Sequence, residues 1–67
     1  MAVARVSEIV ASSTKSWQDA ADAGFKRASK TLRGITGIRL IEATAAVSKG
    51  KITEYRVRMK VTFVLED

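Results

Sequence analysis

The chain of 67 residues contains neither cysteine nor histidine. It therefore forms no disulfide bond and holds no zinc ion through thiolate or imidazole ligands. Catalysis that uses these side chains as nucleophile or base is excluded as well. A chain this short buries only about 60 % of the surface of its unfolded form and commonly depends on disulfides, a metal or partner subunits. These absences favour self-association as the source of stability.

The chain also lacks a long apolar run. A membrane-spanning helix needs about 20 consecutive apolar residues, and no stretch approaches this length. The N-terminal segment MAVARVSEIV does not have the charged-then-apolar order of a secretory signal. We therefore expect a soluble, cytoplasmic protein with no membrane partner. No linker, internal repeat or low-complexity segment divides the sequence, so residues 1–67 are predicted to form one domain.

Residue sets for catalysis are missing too. The sequence has no glycine-rich phosphate-binding loop and no Ser/His/Asp or Cys/His set. General acid–base catalysis needs carboxylates that are placed together. The acidic residues are instead predicted to lie on different elements and mostly among basic residues; they are Glu8, Asp19, Asp22, Glu42 and Glu54. We therefore expect that this protein is not an enzyme.

The one acidic cluster is Glu66–Asp67 at the end of the sequence. Carboxylate oxygens are the ligands that Ca²⁺ and Mg²⁺ prefer. In a lone subunit these two residues are also consistent with a solvated tail. A symmetric assembly that gathers several tails around one axis would favour the metal site, so Glu66 and Asp67 are the candidate metal ligands.

Basic residues outnumber acidic ones, twelve to seven, which gives a formal net charge of +5. Clustered Lys and Arg would indicate a polyanionic partner such as nucleic acid. Here the basic residues are spread along the chain, and no aromatic side chains alternate with them as stacking platforms. Solvation of a sheet face and a helix end is the simpler interpretation. A cationic surface that docks on nucleic acid or an acidic partner stays the alternative.

The clearest pattern is the alternation of residues 52–65. The apolar members are Tyr55, Val57, Met59, Val61, Phe63 and Leu65, and charged residues stand between most of them. Such alternation predicts a strand with one face in a core and the other in polar surroundings. At roughly 3.3 Å per residue the strand would run about 45 Å, which is long for so small a domain. We expect it to reach past its own subunit.

Three further elements precede this strand. Residues 3–10 are rich in β-branched side chains and predict a first strand. Residues 14–33 have helical periodicity, with Ser13 as the expected N-cap and Gly34 as the residue that ends the helix. Trp17 lies on the apolar stripe of this helix and is interpreted as core or interface packing. Small residues on the same helix predict close contact with the sheet; they are Ala20, Ala21, Gly24 and Ala28.

Residues 38–47 predict a strand that is apolar on both faces. Ile38 and Leu40 would share one face, and Ile41, Ala43 and Val47 the other. A strand of this kind is usually covered on both sides. Because the chain offers only one helix, we expect a neighbouring subunit to supply the second cover. Residues 48–51 form a short turn onto the last strand. The predicted fold is α+β, in the order β-α-β-β, with one helix packed on a three-stranded antiparallel sheet.

The predicted element order and three stretches of sequence resemble the dodecin family. These stretches are ASSTKSW, KRASKTLR and YRVRMKVTFVLED. Dodecins are small proteins that assemble as hollow homododecamers, and most of them hold flavins between subunits. The resemblance covers residues 6–67. It implies the dodecin fold, a homododecamer and a small ligand held between its subunits.

The resemblance also implies a set of ligand-binding residues. The family's flavin-stacking tryptophan falls at Gly37, and a glutamate of the same motif falls at Arg39. A glutamine that binds the ring edge falls at Arg56, and an arginine of the second strand falls at Thr44. These substitutions imply a pocket that takes FMN or riboflavin weakly, another aromatic anion, or nothing. Some dodecins without the tryptophan resemble calcium-binding proteins, for which Glu66 and Asp67 are the candidates here.

Overall fold

The computed structural model describes residues 3–65, which form three strands and one helix. The elements are β1 (Val3–Ser13), α1 (Trp17–Ser29), β2 (Ile35–Ser48) and β3 (Lys51–Leu65). All strand pairs are antiparallel, and the sheet order is β1-β3-β2. This confirms the predicted α+β class and the β-α-β-β order. No helix among residues 3–65 is long and apolar enough to cross a membrane.

The core lies on the central strand β3, as its alternation predicts. Val57, Met59 and Val61 are fully buried, and α1 adds the buried residues Ala20 and Ala28. Odd-numbered positions of β3 therefore face the helix, because alternate residues of a strand point to opposite faces. The even-numbered positions define the other sheet face, which α1 does not cover and which we call the open face.

The helix begins three residues later than expected. Ser16, not Ser13, is the N-cap, and its hydroxyl accepts a hydrogen bond from the backbone N–H of Asp19 at 3.0 Å. Ser13 instead ends β1, and its hydroxyl donates to Oδ2 of Asp19 at 2.6 Å. Several hydroxyl residues precede Trp17, and any of them has the chemistry of a cap. The position of the cap is set by the length of β1, which the sequence pattern underestimated.

The helix also ends earlier than expected, at Ser29 rather than Arg33. The backbone N–H groups of Thr31 and Leu32 both donate to the carbonyl of Ala28, so the chain leaves the helix in a tight turn. Gly34 has the predicted left-handed conformation, with φ of 74°. It joins this turn to β2 instead of ending the helix directly. Its Cα lies close to strand β3, since an added Cβ would lie 2.9 Å from the carbonyl oxygen of Val64.

Close packing of α1 on the sheet is confirmed at Gly24. An added Cβ would lie 2.7 Å from Cε of Met59 and 2.9 Å from Cβ of Ala11. Met59 can rotate away, but Ala11 moves only with its backbone. We expect Gly24→Ala to destabilise the fold by about 1–3 kcal/mol through overpacking, despite alanine's advantage of up to about 1 kcal/mol in a helix. Chemical denaturation measures the change, and a rise in stability would contradict this contact.

Strand β2 contains irregularities that change which of its residues share a face. The register shifts between Ile35 and Gly37 and again between Leu40 and Glu42. A bulge inserts one extra residue and so reverses the alternation that follows it. Ala43 is opposite Val57 and therefore faces the helix side, together with Leu40. The predicted grouping of Ile41, Ala43 and Val47 on the face opposite Leu40 is wrong, because Ile41 is the extra residue of a bulge.

The helix packs over β1 and β3 and leaves β2 largely uncovered. Every residue of β2 except Ile35 is exposed, including the large apolar side chains of Ile38, Leu40 and Ile41. Nothing within residues 3–65 therefore provides the second cover that the sequence predicts for this strand. Cover by a neighbouring subunit stays a prediction.

The β2–β3 hairpin closes through a two-residue turn. Lys49 and Gly50 both have positive φ, 53° and 75°, and Ser48 pairs with Lys51. These values fit a type I′ turn, which matches the twist of the flanking strands and confirms the predicted turn. The last residue of β1, Ser13, is paired with Tyr55. Residues 46–54 therefore pass beyond β1 as a two-stranded segment, which we call the hairpin ribbon.

Candidate functional site

The predicted ligand-binding residues lie on the open face of the sheet. They are Gly37, Arg39, Thr44 and Arg56. Gly37 is paired with Thr62, Arg39 with Lys60, and Thr44 with Arg56. The β3 partners are all even-numbered, and directly paired residues point to the same face. The four residues that the family resemblance predicts therefore lie on one face of the β2–β3 strand pair.

Sharing a face does not bring these residues into one pocket. Thr44 and Arg56 are direct cross-strand neighbours. The partner of Arg39 lies four positions along β3 from Arg56, about 13 Å away, and the partner of Gly37 lies six positions away, about 20 Å. Within one subunit the structure therefore groups Thr44 with Arg56 only.

Charges of both signs alternate on the open face. Nη2 of Arg56 lies 2.7 Å from Oε1 of Glu54, and Nε of Arg58 lies 3.8 Å from Oε2 of Glu8. Glu42 is paired with Arg58 across the strands. Glu8 and Glu42 come from β1 and β2, so the sequence alone did not show that they meet the basic residues of β3. Arg39 and Lys60 complete the face, which is close to neutral in total.

Gly37 stands where there is room for a large side chain. An added Cβ would have no heavy atom within 4 Å, and Gly37 is not among the glycines with positive φ. The residue also borders a cavity of about 330 Å³ between α1 and the start of β2. The lining of this helix-side cavity is Asp22, Phe25, Ile35, Thr36, Gly37 and Ile38. Gly37 thus lies on the open face and also borders the partly apolar helix-side cavity.

Trp17 packs the start of the helix against the sheet beside the candidate residue Thr44. Its indole Nε1 donates a hydrogen bond to the backbone carbonyl of Thr44 at 2.8 Å. Its ring meets the ring of Tyr55 edge-on, with centroids 4.9 Å apart. The side chain is 39 % exposed, so Trp17 packs on the sheet but is not a core residue of the subunit. A role in packing between subunits stays a prediction.

Loss of the indole should weaken the fold only moderately. We expect Trp17→Ala to lower the free energy of unfolding by about 2 kcal/mol, since an edge contact and one hydrogen bond are lost. A fully buried aromatic ring would cost about 3–5 kcal/mol. Trp17→Phe keeps the ring contact and should recover about half of the loss. Thermal and chemical denaturation measure both variants, and an unchanged stability of Trp17→Ala would show that these contacts contribute nothing.

The candidate metal ligands Glu66 and Asp67 lie outside the described residues. Within residues 3–65, no group of three or more carboxylate, imidazole or thiolate side chains is placed to hold a metal ion.

Comparisons with known proteins agree on one family. The Dodecin sequence family matches residues 3–66. The chain is 41 % identical over 64 residues to calcium dodecin of Mycobacterium tuberculosis, and the match covers 94 % of this chain and 89 % of that protein. The structure of dodecin from Streptomyces davaonensis superposes with a TM-score of 0.93 at 32 % identity, covering 98 % of this chain and 97 % of that one.

A second solved structure is that of the Mycobacterium tuberculosis calcium dodecin, described as a calcium-chelating immunodominant antigen with a novel calcium-binding site. It superposes with a TM-score of 0.82 at 35 % identity and covers 96 % of this chain and 91 % of its own. Sequence and structure therefore give the same assignment over nearly the whole length, and the chain belongs to the dodecin family.

Proposed function

We propose that this chain is a cytoplasmic, homododecameric protein that binds and stores a small ligand between its subunits. The observation that supports this proposal is the distribution of apolar side chains. Among residues 3–65, eleven large apolar side chains are at least 39 % exposed, whereas the buried core has five members, two of them alanines. Monomeric proteins rarely expose apolar surface on this scale. Contacts with further copies of the same chain can bury this exposed apolar surface.

Native mass spectrometry tests this proposal directly. The expected result is a species of twelve subunits, together with any small molecule or ion that it retains. Analytical ultracentrifugation at micromolar concentration provides an independent measurement of mass. A sample that contains only the single-subunit species in both experiments would contradict the proposal.

The proposed ligand is an anionic aromatic molecule, with phosphorylated flavin preferred over riboflavin. Arg39 and Arg56 on the open face support this choice, because guanidinium groups stack on aromatic planes and bind phosphate through paired hydrogen bonds. Arg56 is already paired with Glu54, but a guanidinium has five N–H donors and retains free ones. Gly37 offers no ring for stacking, so binding is expected to be micromolar or weaker.

The preference for phosphate should fade as salt is added. Exposed charge pairs are screened over about 10 Å at 0.1 M ionic strength. We expect FMN to bind more tightly than riboflavin at low salt and the two to converge at high salt, as measured by quenching of flavin fluorescence. Arg39→Gln should remove part of the difference, while Lys26→Gln, a charge loss on helix α1, should leave it unchanged. Equal affinities at low salt would contradict a role for the arginines.

Calcium is the second candidate ligand, supported by the 41 % identity to calcium dodecin. In this proposal Glu66 and Asp67 of several subunits provide the oxygen ligands together, since divalent calcium takes six to eight of them. Isothermal titration with calcium alone measures the affinity. Glu66→Gln with Asp67→Asn should abolish binding, and Asp19→Asn should not. Retained affinity in the double variant would place calcium elsewhere.

Docking on nucleic acid is not favoured by the charge distribution. The open face carries the carboxylates of Glu8, Glu42 and Glu54 among its four basic residues. A surface that binds phosphates by counterion release needs a predominantly positive field. The basic residues of β3 instead have acidic neighbours within the same sheet.

A further inference from the structure

The hairpin ribbon presents an uncovered apolar pair at the tip of the molecule. Val47 and Ile52 are direct cross-strand partners and are 66 % and 48 % exposed. Lys49 in the turn and Lys51 at the start of β3 lie next to this pair in sequence, and neither forms an ion pair within residues 3–65. Two-stranded hairpins without further packing are marginally stable in water. We therefore expect contact with another surface to stabilise the ribbon.

The helix-side cavity has a surface that is complementary to that of the hairpin ribbon. Phe25, Ile35 and Ile38 give it apolar walls, and Phe25 and Ile38 are exposed in the isolated subunit. Asp22 lies at its edge and forms no ion pair or side-chain hydrogen bond within residues 3–65. The cavity thus combines apolar surface with one unpaired negative charge, whereas the ribbon combines apolar surface with two unpaired positive charges.

We infer that the hairpin ribbon of one subunit docks into the helix-side cavity of the next. Val47 and Ile52 pack against Phe25 and Ile38, and the two lysines of the ribbon approach the carboxylate of Asp22. Apolar contact at the centre with opposite charges at the rim is the usual composition of a specific protein interface.

The contact must join different subunits. The cavity lies at the start of β2 and the ribbon at its end, and from Thr36 to Lys49 the strand runs roughly 40 Å. The longest dimension of the molecule is 52 Å, so the two surfaces are at opposite ends. A contact between two different patches is heterologous, and it produces a closed ring when the rotation between neighbours closes. This inference rests on the proposed self-assembly and names the surfaces that carry one of its contacts.

Charge reversal in the ribbon tests the inference without breaking the hairpin. In Lys49→Asp with Lys51→Asp, the turn becomes Asp-Gly, a favoured sequence for a type I′ turn. The new carboxylates repel Asp22, and every subunit repeats the contact. We expect the subunit concentration at half-assembly, measured by analytical ultracentrifugation, to rise about tenfold or more. Adding Asp22→Lys to this variant should return assembly toward that of the unmodified protein.

The matched control is Lys15→Asp with Lys30→Asp, which changes the net charge equally but lies outside the ribbon. Circular dichroism confirms that each variant keeps its secondary structure. If the ribbon variant assembles at the same concentration as the control, or if Asp22→Lys does not restore assembly, the docking inference is overturned while the subunit count still supports the proposed function. A monomeric unmodified protein would overturn both.

Discussion

Replacing Gly37 with Trp is expected to tighten flavin binding at least about a hundredfold. An aromatic ring adds about 0.5–1.5 kcal/mol of stacking beyond area burial, and burial of the indole adds of the order of 3 kcal/mol. A hundredfold gain requires about 2.8 kcal/mol. The backbone at Gly37 accepts a side chain, because an added Cβ meets no heavy atom within 4 Å and the residue does not have a positive φ. Fluorescence-quench titration with riboflavin and with FMN measures the gain.

Gly37→Leu is the control for this substitution. It adds apolar surface at the same position but no aromatic plane, so it should recover only part of the gain in affinity. Nanomolar riboflavin binding by the unmodified protein, insensitive to salt, would show that the pocket recognises flavin without residue 37. Equal affinity of Gly37→Trp and the unmodified protein would show that position 37 does not border the ligand.

Met59→Ala is expected to destabilise the fold by about 2–5 kcal/mol. Met59 is fully buried at the centre of β3, where it packs with Val57 and Ala20 and where Ile9 also contacts the core. Truncation removes buried methylene groups and leaves a cavity that the surrounding strands cannot close. Small domains have total stabilities of about 5–15 kcal/mol, so the loss is a large share of the whole. Denaturant unfolding at fixed subunit concentration measures it.

Met59→Leu gives the matched comparison, because it keeps nearly the same volume and should cost less than about 1.5 kcal/mol. The subunit concentration must be the same for all three proteins, since assembly adds to apparent stability by mass action. Equal midpoints for Met59→Ala and Met59→Leu would mean that the core does not depend on filling this position.

The part of the fold that follows from local pattern was predictable. The alternation of β3 identified Val57, Met59 and Val61 as core residues, and they are the largest fully buried side chains. Small residues on the helix predicted close packing, which Gly24 shows. The helix boundaries were less predictable, because the segment before Trp17 contains several residues able to cap a helix. Tertiary pairing of β1 with β3 as far as Ser13 decided which of them does so.

The arrangement of the candidate site was less predictable than the fold. Family resemblance selected four residues, but it did not give the distance between Gly37 and Thr44. That distance depends on strand register, and a bulge at Ile41 has no glycine or proline to signal it. The acidic partners on the open face could not be predicted from the sequence for a related reason. Glu8 and Glu42 are far apart in sequence and meet the basic residues only because β3 lies between β1 and β2.

The two irregularities in the first half of β2 have a consequence for how copies of the chain can associate. Strand β2 forms one edge of the sheet, and a free edge with evenly spaced backbone donors and acceptors invites further strands to add without limit. The extra residues Thr36 and Ile41 interrupt that spacing. A second strand that approached this edge would meet two breaks in the spacing of backbone donors and acceptors. On this side, growth into a fibril is hindered by the backbone itself, so a finite particle is the form of association that we expect.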